Sequence, residues 1–423
     1  MTTFFDLLET RESTQREAAL MAALPAQVAH AKQASAALAQ ILASVDPAAV
    51  TSRHALAQLP VTRKHELLER QQASRAVAGG DVFGGFSTLG YGAQMPRLFA
   101  SPGPIYEPEG AGRDYWRMAR AIYAAGFRTG ELIHNCFSYH FVPAGSMMES
   151  GAHALGCTVF AGGTGQTEQQ VQAMAQLRPA GYIGTPSFLK IILDKAAELK
   201  RDVKSIERAL VSGAALPASL RQELEKRGVV VRQCYATAEL GVIAYETSTP
   251  RGALNEGMVV NEHIILEIVR PGTGDPVQPG EVGEVVVTRL NKDYPLLRLA
   301  TGDLSALLPG KSPCGRTHLR IRGWMGRADQ TTKVKGMFVH PRQVADVAAR
   351  HPEIGRARLV VTRQKEQDAM TLHVECAGTG DGLAAAIADT LQSVTKLKGA
   401  VVVAKPGSLP NDGKVIADER PIS

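Results

Sequence analysis

Up to about residue 80 the apolar positions recur at helical spacing, so the chain is expected to open as helices. Ala18 to Leu42 is rich in alanine, leucine and glutamine, and Pro25 is expected to break it, because proline lacks the amide hydrogen an internal turn needs. Leu59-Pro-Val-Thr-Arg-Lys64 reads as a helix start, with Pro60 ending the segment before it. From Glu131 the pattern changes. Short apolar runs at Leu132, Cys157, Gly181, Ala209 and Val229 to Gln233 alternate with helical stretches near 143–154, 166–177, 186–200 and 217–227. That alternation predicts a largely parallel sheet with helices on both faces and ligands at the carboxyl ends of its strands.

Past about residue 240 the helical pattern stops. Val259 to Val269 and Gly283 to Leu290 read as strands of an antiparallel region, separated by the turn-rich Pro271-Gly-Thr-Gly-Asp-Pro276. From roughly Gly326 a small α+β unit follows, with strands at Leu359 and Thr371 and a helix near 382–396. The expected fold class is α/β: a large multi-sheet N-terminal domain with a β subdomain (1–328) and a small α+β C-terminal domain (329–423). A chain of 423 residues is long enough for two such cores.

Composition narrows the function classes. Aromatic residues are only 5% and no basic stretch is interleaved with them, so no nucleic-acid partner is expected. The apolar runs are too short to span a bilayer, and no basic-then-apolar leader opens the chain, so no membrane association is expected. Five scattered cysteines read as reduced thiols of a cytoplasmic protein. The net charge of +6 suits a phosphate-bearing ligand but equally an ordinary basic protein.

Five stretches carry candidate chemistry, each with an ordinary reading beside it. Ser212-Gly-Ala-Ala-Leu-Pro217 closes a strand and opens a helix; its small residues let a planar ring approach, though alone it is a common turn. Tyr235-Ala-Thr-Ala-Glu239-Leu-Gly241, just past a strand, offers a carboxylate for Mg²⁺ and a ring for a base, or simply a loop glutamate. In Arg298-Leu-Ala-Thr-Gly-Asp303 the aspartate of a Thr-Gly-Asp turn can accept from two ribose hydroxyls or merely cap the turn. Gly326-Arg-Ala-Asp329 with Lys333-Val-Lys-Gly336 sits at the domain junction as a hinge or a solvated surface turn. Gly407-Ser-Leu-Pro-Asn-Asp-Gly-Lys414 brings a lysine to a phosphate or carboxylate oxygen, or leaves it in a tail.

Taken together and in order, these stretches resemble the phenylacetate–CoA ligase branch of the adenylate-forming superfamily of acyl-CoA synthetases. The resemblance runs nearly end to end, through Leu59–Lys64, His134-Asn-Cys-Phe-Ser-Tyr-His-Phe141, Leu155-Gly-Cys-Thr-Val159, Gly165-Gln-Thr-Glu168 and Gly184-Thr-Pro-Ser187. It implies a large domain of adenylate-forming type, ATP, Mg²⁺ and CoA as cofactors, and a small carboxylic acid as substrate. It implies that Glu239 holds Mg²⁺ at the ATP phosphates and that Gly213, Ala214, Ala215, Pro217, Tyr235, Ala236 and Thr237 border the nucleotide. Asp303 would bind the ribose with help from Arg327. Asp329 would be the hinge, Lys414 the lysine of adenylation, and Lys335-Gly336 the face presented for thiol transfer. Phe137, Tyr139, Val142 and Gly241 would line an acid pocket whose apolar character favours an aromatic or medium-sized hydrophobic acid. Relatives are often dimers, which makes a homodimer an expectation here.

The chain departs from the pattern in three places. Where relatives carry a Ser/Thr/Gly-rich phosphate loop, this chain reads Ala100-Ser-Pro-Gly-Pro-Ile-Tyr-Glu-Pro-Glu-Gly-Ala-Gly112, with prolines that lack donors and with Glu107 and Glu109 adding negative charge. Ala238 stands where a phosphate-contacting hydroxyl is expected. Thr247, Leu254 and Ser312 replace the ligands of a structural zinc, leaving Cys314, so no structural zinc is expected. The leading reading is an acid–CoA ligase. A non-catalytic nucleotide- or acyl-CoA-binding protein, and an adenylating enzyme serving a carrier protein, stay open beside it.

Overall fold

The computed structural model describes residues 4–325, 327–328, 332–339, 341–364, 367–376, 382–410 and 414–420, apart from the side chains of 338, 341, 342 and 364. The chain divides into two compact units, Met1–Met325 and Gly326–Ser423. The expected hinge, Asp329, lies outside the described residues.

The first helix, Ser13–Ala34, runs straight through Pro25. The expected break at that proline is therefore wrong. One missing amide is tolerable in a helix held by the buried Leu20, Leu24, Val28 and Ala31, which share a core with Leu56, Leu67 and the strands of the β subdomain. The break falls instead at Ser35, whose hydroxyl caps the next helix, Ala36–Ile41, by accepting from the Leu38 amide at 3.2 Å.

Five parallel strands form one end of a nine-stranded sheet, in the order Val230–Thr237, Arg208–Val211, Gly181–Gly184, Leu132–Asn135, Thr158–Ala161. The intervening helices begin and end where their sequences say they should. Pro186–Glu198 starts on the Thr185 cap with proline in its first turn, and Ala144–Leu155 stops at Gly156, whose φ of 89° is left-handed. Strand order reverses between Leu132–Asn135 and Gly181–Gly184, because the next strand in sequence, Thr158–Ala161, lies on the far side of the first. The crevice beyond the carboxyl ends of those two strands is the topological switch point, where doubly wound sheets take their ligands.

Antiparallel strands Gly241–Tyr245, Met258–Val260, Arg320–Ile321 and Leu307–Leu308 complete the sheet. Val259 to Val269 is not one strand as expected. It splits into Met258–Val260 and Ile264–Val269, which belong to different sheets, with His263 at φ 62° turning the chain between them. Ile264–Val269 joins Gly283–Arg289, Leu299–Ser305 and Thr62–Arg63 in a four-stranded sheet. Every residue of Ile264–Val269 and Gly283–Arg289 is buried, which is why their apolar runs show no alternation.

The second unit folds around its own core, which includes Val344, Leu359, Leu372, Ile387 and Leu391. Its main sheet orders Ala400–Ala404, Gln367–Cys376, Ile354–Gln364 and Ile416–Asp418, with helices Pro341–Ala349 and Leu383–Thr395. A separate hairpin pairs Thr332–Val334 with Met337–Val339. Among the described residues no helix is long and apolar enough to cross a membrane.

Candidate active site

Ser212 follows the strand Arg208–Val211, and its hydroxyl donates to the Cys234 carbonyl at 2.8 Å, tying the turn to the neighbouring strand. Gly213 then takes φ 74°, a left-handed conformation in which a side chain would be strained. A Cβ placed there would sit 3.5 Å from Phe137 Cε1, so the Phe137 ring lies against this turn. Gly213, Ala214 and Ala215 are exposed, while Leu216 and Pro217 are buried at the helix entrance. The small residues thus form an open lip beside a buried ring.

Tyr235, Ala236 and Thr237 were expected in a loop past the strand. They lie within it, because Val230–Thr237 continues and pairs antiparallel with Gly241–Tyr245. The Tyr235 hydroxyl donates to Asp303 Oδ2 at 2.8 Å and lies 3.0 Å from Thr301 Oγ1. Asp303 is likewise not in a free turn. It belongs to the strand Leu299–Ser305, where the register to Gly283–Arg289 shifts and Gly302 takes φ 74°, so that Thr301-Gly302-Asp303 bulges. The other carboxylate oxygen, Oδ1, accepts from Trp324 Nε1 at 3.0 Å. The carboxylate is fixed from both sides.

Arg298, at the head of that strand, plays a different part. It is buried, donates to both oxygens of Glu267 at 3.0 Å, and donates further to the carbonyls of Ala57, Leu59 and Gly274. It clamps the β sheet onto the segment that leads to Lys64, and burial pushes the Glu267 carboxyl upward against that pairing.

Glu239 is buried, with Lys64 Nζ 2.9 Å from its Oε1. Lys64 begins the helix Lys64–Arg75, so the Leu59–Lys64 motif supplies the cation facing this glutamate. Gly241, expected in the acid pocket, takes φ 73° and lies under the Trp116 backbone, where a Cβ would stand 2.5 Å from the Trp116 carbonyl oxygen. Its place is close packing between strand and chain.

The stretch from Ala100 to Gly112 forms a hairpin, Arg97–Ser101 with Ile105–Glu109. Glu107 and Glu109 turn inward and are buried. Glu109 accepts from Ser146 Oγ at 3.0 Å and faces Arg97 at 3.4 Å. Glu107 accepts from Ser101 Oγ at 2.5 Å and from the Ser101 amide at 3.3 Å. Burial first, and the neighbouring Glu239 second, hold the Glu107 carboxyl well above the usual carboxylate range. The sequence had marked these glutamates only as added charge on a loop. Their period-two spacing on a strand was the signal that both share one face.

At the switch point, Asn135 donates to the Tyr139 hydroxyl at 2.8 Å and to the Gly145 carbonyl at 2.9 Å. Tyr139 in turn donates to Glu149 at 2.8 Å, and burial pushes its phenol upward. Phe137 is buried and Val142 half-buried. Thr247, Ser312 and Cys314 come together through Asn255, which donates to Thr247 Oγ1 at 3.1 Å and Ser312 Oγ at 2.8 Å, with Ser312 Oγ 3.1 Å from Cys314 Sγ. Among the described residues no three His, Cys, Asp or Glu side chains gather as a metal cluster.

Four of the expected residues that are described, Arg327, Lys335, Gly336 and Lys414, belong to the second unit. Lys335 (φ 47°) and Gly336 (φ 85°) form the two-residue turn of the hairpin Thr332–Val334/Met337–Val339. Lys414 is exposed just before the strand Ile416–Asp418, its carbonyl accepting from Arg358 at 3.4 Å, and Arg327 is half-buried. Trp324 was not singled out from the sequence, and Thr301 and Lys64 were read only as members of their motifs, since each gains its meaning from a partner far away in the chain.

The family model for AMP-binding enzymes matches residues 113–291. The phenylacetate–coenzyme A ligase of Thermus thermophilus is 30% identical over 351 residues, which cover 79% of this chain and 75% of that protein. That of Escherichia coli is 30% identical, covering 67% of each. The solved structure of a 2-hydroxyisobutyryl-CoA ligase, in complex with 2-HIB-AMP and CoA in the thioesterification state, aligns with a TM-score of 0.81 at 23% identity, covering 99% of this chain and 93% of that one. The described geometry and these likenesses together place the chain in the phenylacetate–CoA ligase family of adenylate-forming enzymes.

Proposed function

We propose that this protein activates an aromatic or medium-sized hydrophobic carboxylic acid with ATP and transfers the acyl group to CoA. The observation that carries the reading is the Tyr235–Asp303–Trp324 cluster, a buried carboxylate fixed by two donors beside the open lip at Gly213. A planar base fits against Tyr235 and the small residues Gly213 to Ala215, Ala236 and Thr237, with Pro217 closing the turn. Asp303 accepts from the ribose hydroxyls, with Arg327 assisting.

In the first half-reaction the acid's carboxylate oxygen attacks the α-phosphorus of ATP. The bond from that phosphorus to the bridging oxygen breaks, and pyrophosphate leaves. Lys414 offsets the charge that grows on the α-phosphate and the acid. Glu239 is suited to holding Mg²⁺, because its Oε2 is buried without a hydrogen-bond donor; the ion supplies charge neutralisation at the phosphates when bound. In the second half-reaction the CoA thiolate attacks the acyl carbon, the bond to the phosphate oxygen breaks, and AMP leaves. Asp329 is the hinge assigned to the change between the two, and Lys335-Gly336 the face that accompanies thiol transfer. Phe137, Tyr139 and Val142 at the switch point favour an apolar acid. The buried, unpaired state of all five cysteines supports a reducing compartment such as the cytoplasm.

The test is pyrophosphate release across a panel of aromatic and aliphatic acids, repeated with Lys414→Ala. Release by the wild type and a loss of at least about a hundredfold in the variant support the reading. Undiminished adenylate formation by the variant refutes the role of Lys414. AMP binding without pyrophosphate release on any acid favours a non-catalytic nucleotide-binding protein.

A further inference from the structure

The loop that leads to Lys414 and the turn Lys335-Gly336 are both tied to one strand of the second unit, Gln367–Cys376. Glu375, next to last in that strand, is buried, and its Oε1 accepts from the Leu409 amide at 2.7 Å. That donor holds the Glu375 carboxyl below the usual carboxylate range, so it is ionised at neutral pH. Arg356 stands opposite Glu375 in the antiparallel register and donates to the carbonyls of Leu409, at 3.2 Å, and Pro410. Arg358, two positions further and so on the same face, donates to the Lys414 carbonyl at 3.4 Å. Just past the lysine the chain enters the sheet. The Leu359 amide donates to the Val415 carbonyl at 2.9 Å, and Ile416–Asp418 pairs with the strand that carries both arginines. The backbone is thereby pinned before Lys414 by Glu375 and Arg356, and after it by the sheet. Leu359, Val361, Leu372 and Val374 build the core of the unit from the opposite face, so Glu375 and Arg356 serve the loop rather than the packing.

At the other end of the strand Asp368 holds the turn. Its Oδ2 accepts from the Lys335 amide at 3.2 Å, with Arg420 Nη1 at 3.0 Å and Arg363 Nη2 at 3.6 Å from its oxygens. Lys335 needs such a tie, because its φ of 47° is left-handed and unfavourable for a residue with a side chain. Asp368 and Glu375 are seven residues apart, which puts them on opposite faces of the strand and roughly 23 Å from one another along it. A change at one attachment is therefore remote from the other.

Resting on the ligase reading above, we propose that this strand serves the two half-reactions separately: Glu375 is the positioning residue for Lys414 in adenylation, and Asp368 is the positioning residue for the Lys335-Gly336 turn in thiol transfer. Each acts through the backbone it fixes. Lys414 offsets charge only when its ammonium meets the reacting oxygens, and a misplacement of about 1 Å costs on the order of a hundredfold in rate.

The test separates the half-reactions, using the acid of the panel with the fastest pyrophosphate release. Adenylation is read as single-turnover pyrophosphate release without CoA, and thiol transfer as thioester formation from CoA and the chemically prepared acyl-adenylate of that acid. Glu375→Ala is expected to slow adenylation by about tenfold or more and to leave thiol transfer within about twofold of the wild type, and Asp368→Ala to do the reverse. Glu375→Gln, which keeps an acceptor for the Leu409 amide, is expected to recover most of the adenylation rate. In the Lys414→Ala background Glu375→Ala is expected to slow adenylation no further, since a lysine that is absent cannot be misplaced. Arg356→Met decides the first arm if Glu375→Ala fails to fold, and Asp368→Asn the second if Asp368→Ala fails, each by the same split between half-reactions. Equal loss in both half-reactions, or loss in neither, overturns the proposal and leaves the ligase reading standing. No pyrophosphate release by the wild type on any acid overturns the ligase reading and this proposal with it.

Discussion

The Tyr235 hydroxyl meets Asp303 at 2.8 Å across a separation of 68 residues, joining the edge of the parallel sheet to the bulge of the β subdomain. Each residue is on a strand, and neither is in the loop its local sequence suggests. The bulge turns Asp303 toward Tyr235, and the Trp324 indole holds its other oxygen. Removing the hydroxyl with Tyr235→Phe is expected to cost about 1 kcal/mol, which is roughly a fivefold loss of AMP affinity by isothermal titration. Tyr235→Ala is expected to lose more, because the ring is removed as well. Equal affinity in the wild type and Tyr235→Phe would show that the hydroxyl does not prepare the carboxylate for ribose.

Arg298 and Glu267 form an ion pair that is almost wholly out of solvent. Arg298→Met leaves the Glu267 carboxylate buried without its cation and leaves the Ala57, Leu59 and Gly274 carbonyls without their donor. The expected loss of stability is about 3–5 kcal/mol, read from the denaturant midpoint of the first unit. The double variant Arg298→Met/Glu267→Met is expected to recover a large part of it. A single-variant loss of under about 1 kcal/mol would mean that the clamp is not a stabilising feature.

His318 gives the first unit an acid-sensitive component. It is buried, and desolvation, followed by the charges of Arg16, Arg53 and Arg11, depresses its pKa from 6.5 to about 3. In the folded chain the ring stays neutral while in the unfolded chain it takes up a proton below pH 6.5, so stability is intact above that pH and falls as pH drops toward 3. One proton corresponds to about 1.4 kcal/mol per pH unit in that window. Denaturant midpoints at pH 7 and pH 5 are expected to differ less in His318→Gln than in the wild type. An unchanged difference would assign the acid sensitivity to other groups.

Much of the first unit was readable in the chain, for local reasons. The helices that start at Thr185-Pro186 and end at Gly156 carry their own caps, and the short apolar runs before them are strands because the alternation leaves them no other role. The misreadings share one cause. Pro25 was read by its missing amide, but the helix around it is held by core packing that a local pattern does not record. Asn261-Glu262-His263 looks like part of a continuous run, and only the second sheet shows that the chain changes partner there.

By itself the sequence determined that this is an α/β chain of adenylate-forming type with a small second unit. It also determined which short stretches resemble the nucleotide and acid sites, because strand–helix alternation and motif order are properties of neighbours along the chain. The tertiary structure decided the partners: Lys64 with Glu239, Tyr235 and Trp324 with Asp303, Arg298 with Glu267. It also decided that Glu107 is buried and held by Ser101. A side chain's partner and its desolvation depend on residues brought close by folding from tens or hundreds of positions away, and no local pattern encodes that distance.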